Sequence, residues 1–550
     1  MAAAGRRKSL LAITRLLLIF TILNYGCRPR FCYTAHWLRL LPRRFRLSQL
    51  PTFTQPHLDI TMKRYLLPLC LLLAPLLVAC SSGGQDAGRS PTIPLEACRL
   101  TGGVNAQCGE LLVYEDRAAA AGRQIPLNIA VLPATGSSNV IEDDPLFLLA
   151  GGPGQAATEA YAPAAFLFAD VNRTRDIVLV DQRGTGESNG LNCDVLEDET
   201  LPADLPDEAQ IALLDQCRAD LSARADLSLY TTDAFVADLD DVRAALDYDT
   251  INLYGASYGT RAALTYVRRF PERVRSVVLD AVAGPELVLF LQMPRDGQRS
   301  LNLLFDRCAA DTACNEAFPN FRAEYEAVLA RLETPQPITV ADPLSNEPLD
   351  FALDRDFLSQ LVFNSLYSPE FQGLLPLLVH HAHETGNYAP LVVQGLAIAS
   401  SVGLYPGLLY AVTCSEDAPL IDTAAAASIQ AETSFGDFSE RFAAICATWP
   451  RAGIAADFRA PLTSDTPALL LSGAADPVTP PEYAEQVAAG LSNSRHIIIP
   501  GFGHGVIGVG CMPKVVAEFI RTADPAALDT TCLDELQPPP FFVSFAGPTP

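Results

Sequence analysis

Residues 251–260 read INLYGASYGT, and the fold turns on how this stretch is read. An apolar run, Ile251 to Tyr254, stops at Ser257, which stands between Gly255 and Gly259. A serine hydroxyl is a weak nucleophile and must project from the backbone toward a base. GxSxG between a strand and a helix provides that projection, because the glycines remove side chains that would collide in a sharp turn. The helix that follows turns its N-terminus toward developing negative charge. A strand over 250–254 and a helix over 260–270 supply this context, so Ser257 is expected to be a nucleophile rather than a turn residue.

A nucleophilic serine needs a base and a carboxylate to orient that base, in the chain order Ser, Asp or Glu, His. After the apolar run Ala468–Leu471 comes SGAADPVTP, with Asp476 in a loop. After His496–Ile499 comes PGFGHG, with His504 among glycines. Both follow strands, where the C-terminal edge of an α/β sheet gathers its functional loops. His496 opens a strand and is expected to pack or cap there. His380, His381 and His383, in HHAHE, lack the HExxH spacing and suit a solvated helix face better than a metal site. For the oxyanion, the backbone N–H of Tyr258 is one expected donor. The second is Gly152, in LLAGGPGQ (148–155), where glycine lets the backbone approach substrate. That loop does not match a dinucleotide motif, and its proline removes an N–H that a phosphate would need.

Around these motifs short β-like runs alternate with helical patterns, which implies a mainly parallel α/β sheet. Eight strands are expected, at 110–114, 125–132, 146–149, 177–180, 250–254, 274–279, 468–471 and 496–499. In 232–246, Phe235, Leu239, Val242 and Leu246 recur at helical spacing. From 285 to 461 the alternation gives way to mostly helical patterns, which reads as an insertion into a core formed by 96–284 and 462–550. The Pro-rich ending, LQPPPFFVSFAGPTP, reads as a closing strap.

The chain has 550 residues and a net charge of −24, but its first 79 residues hold 12 Lys/Arg and one acid, Asp59, leaving −35 on the remainder. A body this acidic repels phosphates and argues against nucleic acid as a partner. From Met62 the chain runs MKRYLLPLCLLLAPLLVAC, with no charge from Tyr65 to Ala79. Basic start, short apolar run and small residues describe a secretory signal peptide (62–79), too short for a membrane-spanning helix. Its ending, LVAC, resembles a lipobox and makes Cys80 the expected lipidated N-terminus, followed by a tether (80–95). Residues 1–61 precede a complete signal peptide. They are expected to be a spurious extension, with translation starting at Met62; a transit peptide is the alternative. The protein is therefore expected to be exported and lipid-anchored to a bacterial cell envelope, with Ser81 favouring the outer membrane in a Gram-negative organism. Ten cysteines follow Cys80. In an exported chain this even number favours disulfides, and no CxxC pair suggests zinc. Pairing of neighbours would close short loops, although spacing leaves the connectivity open.

Taken together, GGPG (151–154), DQRGTGES (181–188), GASYGT, TCSEDAP (413–419), GAADPVTP and GFGHG resemble the α/β-hydrolase serine peptidases of the prolyl and tripeptidyl aminopeptidase family. The resemblance spans roughly 98–532 and is closest to the family's bacterial exported branch. It implies an α/β-hydrolase fold, a helical cap over a Ser257–His504–Asp476 triad, peptide substrates cut near a free N-terminus, and no metal or organic cofactor. Family members commonly carry HGGPG where this chain has Ala150. The resemblance also implies a cap carboxylate, Glu416 or Asp417, pairing with the substrate ammonium. Asp181 and Arg183 are expected to form an internal ion pair bracing the GGPG loop. Two other readings remain: an esterase on the same scaffold, since fold does not dictate substrate, and an inactive lipid-anchored binding protein.

Overall fold

The computed structural model describes residues 91–548 except 198–204, 344, 400–402 and 437. The segments expected to be a spurious extension (1–61) and a signal peptide (62–79), together with Cys80 and most of the expected tether, lie outside the described residues.

All eight expected strands form, and a ninth joins them. The chain builds β1 (Glu96–Arg99), β2 (Asn105–Tyr114), β3 (Gln124–Leu132), β4 (Leu146–Leu149), β5 (Ile177–Val180), β6 (Ile251–Ala256) and β7 (Val274–Asp280). A hairpin, β8 (Gln336–Ala341) and β9 (Pro348–Leu353), stands apart, and β10 (Ala468–Gly473) and β11 (Ser494–Ile499) complete the set. The large sheet has the order β1-β2-β3-β5-β4-β6-β7-β10-β11. Its first three pairings are antiparallel and the other five parallel. The eight-stranded expectation is thus corrected to nine. The extra strand, EACR, is mostly exposed and carries no apolar alternation, so it had no periodic signal. Its register against β2, with Cys98 opposite Ala106, supplies its order instead.

Strands β4, β5 and β6 are apolar on both faces because helices cover both sides of a parallel sheet. One covering helix is Thr232–Ala245, whose Phe235, Leu239 and Val242 are buried against the sheet as their spacing predicts. It starts from Thr231, whose hydroxyl accepts the Ala234 N–H at 3.2 Å.

Between β7 and β10 the chain makes helices and the β8–β9 hairpin around a second apolar core that includes Phe305, Phe321, Tyr325 and Leu358. Mostly helical is therefore right for this insertion, with two strands added. Phe541 of the C-terminal segment is buried in the same core, and the Phe542 N–H donates to Gly373 O at 3.0 Å. The Pro-rich ending thus packs on the insertion.

Neighbouring cysteines are the ones that pair: 98–108, 193–217, 308–314, 414–446 and 511–532. Cys414–Cys446 joins two buried helix positions 32 residues apart. Closing a loop of that length restricts the unfolded chain. Replacing both by alanine is expected to lower unfolding free energy by about 2–4 kcal/mol, read as a lower denaturant midpoint.

Candidate active site

The turn after β6 is built by exclusion. A Cβ on Gly255 would meet the carbonyl of Gly259, and one on Gly259 would meet the carbonyl of Leu149. Only glycine lets β6 pass so directly into the helix Tyr258–Arg269. Ser257 caps that helix with φ 56° and ψ −124°, a conformation an L-residue holds only when its surroundings impose it. Because Ser257 is the cap, the helix starts two residues before the expected Thr260. Tyr258 is its first residue, so the Tyr258 N–H has no intrahelical acceptor.

The GGPG loop lies against this elbow. A Cβ on Gly151 would sit 3.2 Å from Ser257 Cβ. The Gly151 N–H is taken by Gln155 Oε1 at 3.2 Å, and Gly152, with φ +105°, stands next in the loop. The insertion reaches down onto the loop, where the Tyr405 N–H donates to Gly154 O at 2.8 Å.

Asp476 and His504 come together as the chain order requires. His504 Nδ1 lies 2.8 Å from Asp476 Oδ2. The other carboxylate oxygen, Oδ1, accepts the N–H groups of Val478 and Thr479, each at 2.8 Å, and the Thr479 hydroxyl donates to Oδ2 at 2.8 Å. The Asp476 side chain is fully buried, whereas that of His504 is 13 % exposed. Tyr367, from the insertion, accepts the His504 N–H on its carbonyl at 2.8 Å and sets its ring edge-on to the imidazole at 5.1 Å. Burial disfavours the charged imidazole, but the Asp476 carboxylate outweighs it and holds His504 above its ordinary value. Burial likewise opposes the Asp476 charge, and the His504 interaction and backbone N–H groups bring that carboxyl below its usual range. A donated Nδ1–H leaves Nε2 as the basic nitrogen.

The elbow and the histidine loop are joined through Asp280, the last residue of β7. The Ser257 N–H donates to Asp280 O at 2.9 Å, and the Asp280 carboxylate accepts the N–H groups of Val506 and Ile507, both at 2.9 Å. Ser257 Oγ makes no hydrogen bond among the described residues.

Two family models match the chain: one described as alpha/beta hydrolase fold, over residues 144–334, and one described as TAP-like protein, over 432–532. Serine protease Hip1 of Mycobacterium tuberculosis is 25% identical over 457 residues, which is 77% of this chain and 86% of that one. Tripeptidyl aminopeptidase of Streptomyces lividans is 30% identical over 192 residues, 32% of this chain and 36% of that one. A proline iminopeptidase structure from Mycobacterium smegmatis aligns at 16% identity and a TM-score of 0.36, covering 76% of this chain and 99% of that one. These matches support the α/β-hydrolase peptidase family. It is a serine hydrolase.

Other residues singled out in this α/β-hydrolase take different places. Glu416 and Asp417 are buried, and their oxygens have partners inside the protein. Glu416 accepts the Thr232 N–H at 2.8 Å and its hydroxyl at 2.9 Å. Asp417 accepts Arg261 at 2.9 and 3.2 Å, Arg459 at 2.7 Å and the Leu289 N–H at 3.0 Å. Burial pushes the Glu416 carboxyl up to about 7, with Arg261 opposing. For Asp417 burial is outweighed by Arg261 and Arg459, which hold its carboxyl below the usual range. These acids tie the insertion to the helix of the elbow, because Arg261 belongs to that helix.

Asp181 and Arg183 do not pair with each other, which corrects that expectation. Asp181 accepts Asn128 at 2.8 Å and the Thr158 N–H and hydroxyl at 2.9 Å, whereas Arg183 binds Asp238 through two contacts of 2.6 and 2.7 Å. Thr158 lies on the helix that follows GGPG, so Asp181 still braces that loop. His496 Nε2 lies 2.9 Å from Ser472 Oγ, and His380 Nδ1 2.9 Å from Glu324.

Arg261, Arg459, Tyr367 and Asp280 escaped sequence reasoning. For Asp280 a signal existed: VVLD, an apolar strand ending in a polar residue, is the pattern that exposed Ser257.

A base must be neutral to accept a proton. With His504 held above the ordinary 6.5, kcat/KM is expected to fall on acidification with a midpoint above that value, measured as a pH–rate profile.

Proposed function

We propose that the protein is a serine exopeptidase that cleaves peptides near their free N-terminus through Ser257, His504 and Asp476. The observation that carries the catalytic part is the buried 2.8 Å Asp476–His504 contact, on the sheet edge that also presents the strained Ser257 elbow. Ser257 Oγ attacks the carbonyl carbon while His504 Nε2 takes its proton. Asp476 holds the Nδ1–H tautomer and stabilises the imidazolium that forms. The N–H groups of Tyr258 and Gly152 receive the oxyanion. His504 then protonates the departing amine, and water, activated by the same imidazole, releases the acyl group.

Cleavage near a free N-terminus rests on the relatives' names and on the insertion over the GGPG loop, not on Glu416 or Asp417, whose oxygens are already bonded. Five disulfides among the described residues suit an oxidising compartment and so export, and the lipobox-like LVAC ending at Cys80 supports a lipid anchor on the cell envelope.

Ser257→Ala is expected to lower kcat by about 10⁴-fold or more with an unchanged thermal melt; retained turnover refutes the nucleophile. A peptide amide with a free N-terminus is expected to exceed its N-acetylated twin by about 10²-fold or more in kcat/KM. Equal turnover of the two, with faster cleavage of small esters, selects an esterase instead.

A further inference from the structure

Asp280 closes β7, is fully buried, and takes no part in the steps above. It nonetheless collects hydrogen bonds from three separate elements. Its carbonyl oxygen takes the nucleophile's own N–H at 2.9 Å. Carboxylate Oδ1 takes the Val506 N–H at 2.9 Å. Oδ2 takes the Ile507 N–H at 2.9 Å, the Tyr254 hydroxyl of β6 at 2.9 Å, and a longer contact from Val506 at 3.1 Å. Val506 and Ile507 lie two and three residues past His504.

Burying a carboxylate is costly unless its oxygens are fully engaged, and an apolar residue would end a buried strand more cheaply. All the carboxylate's contacts are with donors, which suits the ionised acid; a protonated oxygen would need an acceptor. The charged and titratable groups around it are the His504 imidazole and the phenols of Tyr254 and Tyr161. The imidazole in turn faces Asp476, the Thr479 hydroxyl and the Tyr367 ring.

We propose that Asp280 is a positioning residue for the hydrolysis. Its buried carboxylate and carbonyl set the spacing between the Ser257 elbow and the His504 loop, and its charge is a second negative centre that favours the imidazolium. This inference rests on the Ser257–His504–Asp476 reading and adds to it a residue that touches no substrate. Burial raises the Asp280 carboxyl, with the hydrogen bonds from Val506, Tyr254 and Ile507 opposing, and the same charge helps to raise His504.

Asp280→Ala, Asp280→Asn and Tyr254→Phe in the full chain test it, by pH–rate profile, thermal melt and rate of labelling by a fluorophosphonate. Loss of the tether in Asp280→Ala is expected to cost about 10²-fold in kcat/KM and to slow labelling. Asp280→Asn keeps an acceptor oxygen and removes the charge. Its acid limb is expected to move down by about half a pH unit or more, because the imidazolium loses a stabilising neighbour. Tyr254→Phe removes one hydrogen bond and leaves the charge, so its acid limb is expected to stay in place. A purely structural role would lower the melt in all three and move none of the limbs. Should Asp280→Ala not fold, the other two variants carry the test. Wild-type kcat/KM and an unmoved limb in Asp280→Asn, beside an inactive Ser257→Ala, overturn this inference alone. An active Ser257→Ala overturns the triad reading beneath it.

Discussion

Where β6 passes into the helix at Tyr258, the backbone of one segment touches the backbone of the next and leaves no room for a side chain. Gly255 faces the carbonyl of Gly259, and Gly259 faces the carbonyl of Leu149 on the neighbouring β4. This contact forces Ser257 into positive φ, lifts its hydroxyl off the sheet edge, and brings the GGPG loop within van der Waals reach. The N-terminal N–H groups of the helix then point where negative charge would develop. If a residue with a Cβ stood at either glycine, strand and helix would have to separate, and with them the serine and its oxyanion donors.

A second constraint holds the insertion to this turn. Arg261 extends from the elbow helix to Asp417, which also takes Arg459, while Glu416 meets Thr232. Thr232 in turn contacts the hydroxyl of Tyr258, the residue directly after the nucleophile, at 2.7 Å. Such a buried ionic cluster adds little net stability, because desolvation offsets most of the attraction, yet removing one member strands the rest without compensation. Its effect is geometric. The segment carrying Tyr405 stays over the GGPG loop, and Tyr367 stays against His504.

Much of this was legible in the linear chain because the signals are local. Parallel strands buried on both faces appear as short continuous apolar runs, as β4, β5 and β10 do, and all eight expected strands formed. Asp476 and His504 each follow such a run, in loops rich in glycine and proline, and they do meet. The strand Glu96–Arg99 was not legible, since its order comes from pairing with β2 and not from its own side chains. Nor was the β8–β9 hairpin, which lies inside a stretch dominated by helical periodicity.

Partner choice was the other limit. Asp181 and Arg183 are two residues apart, and adjacency suggested that they pair; the fold instead turns one toward Thr158 and the other toward Asp238. Glu416 and Asp417 look like free cap acids until Thr232 meets the first, and Arg261 and Arg459 reach the second from 156 and 42 residues away. By itself the sequence determined where eight strands lie along the chain, the elbow, and the residue types able to form a triad, because periodicity, glycine placement and side-chain chemistry are written residue by residue. Only the tertiary structure decided which charges neutralise one another, and that Asp280 joins the serine to the histidine loop. Electrostatic partners are selected by distance in space, and distance along the chain does not encode it.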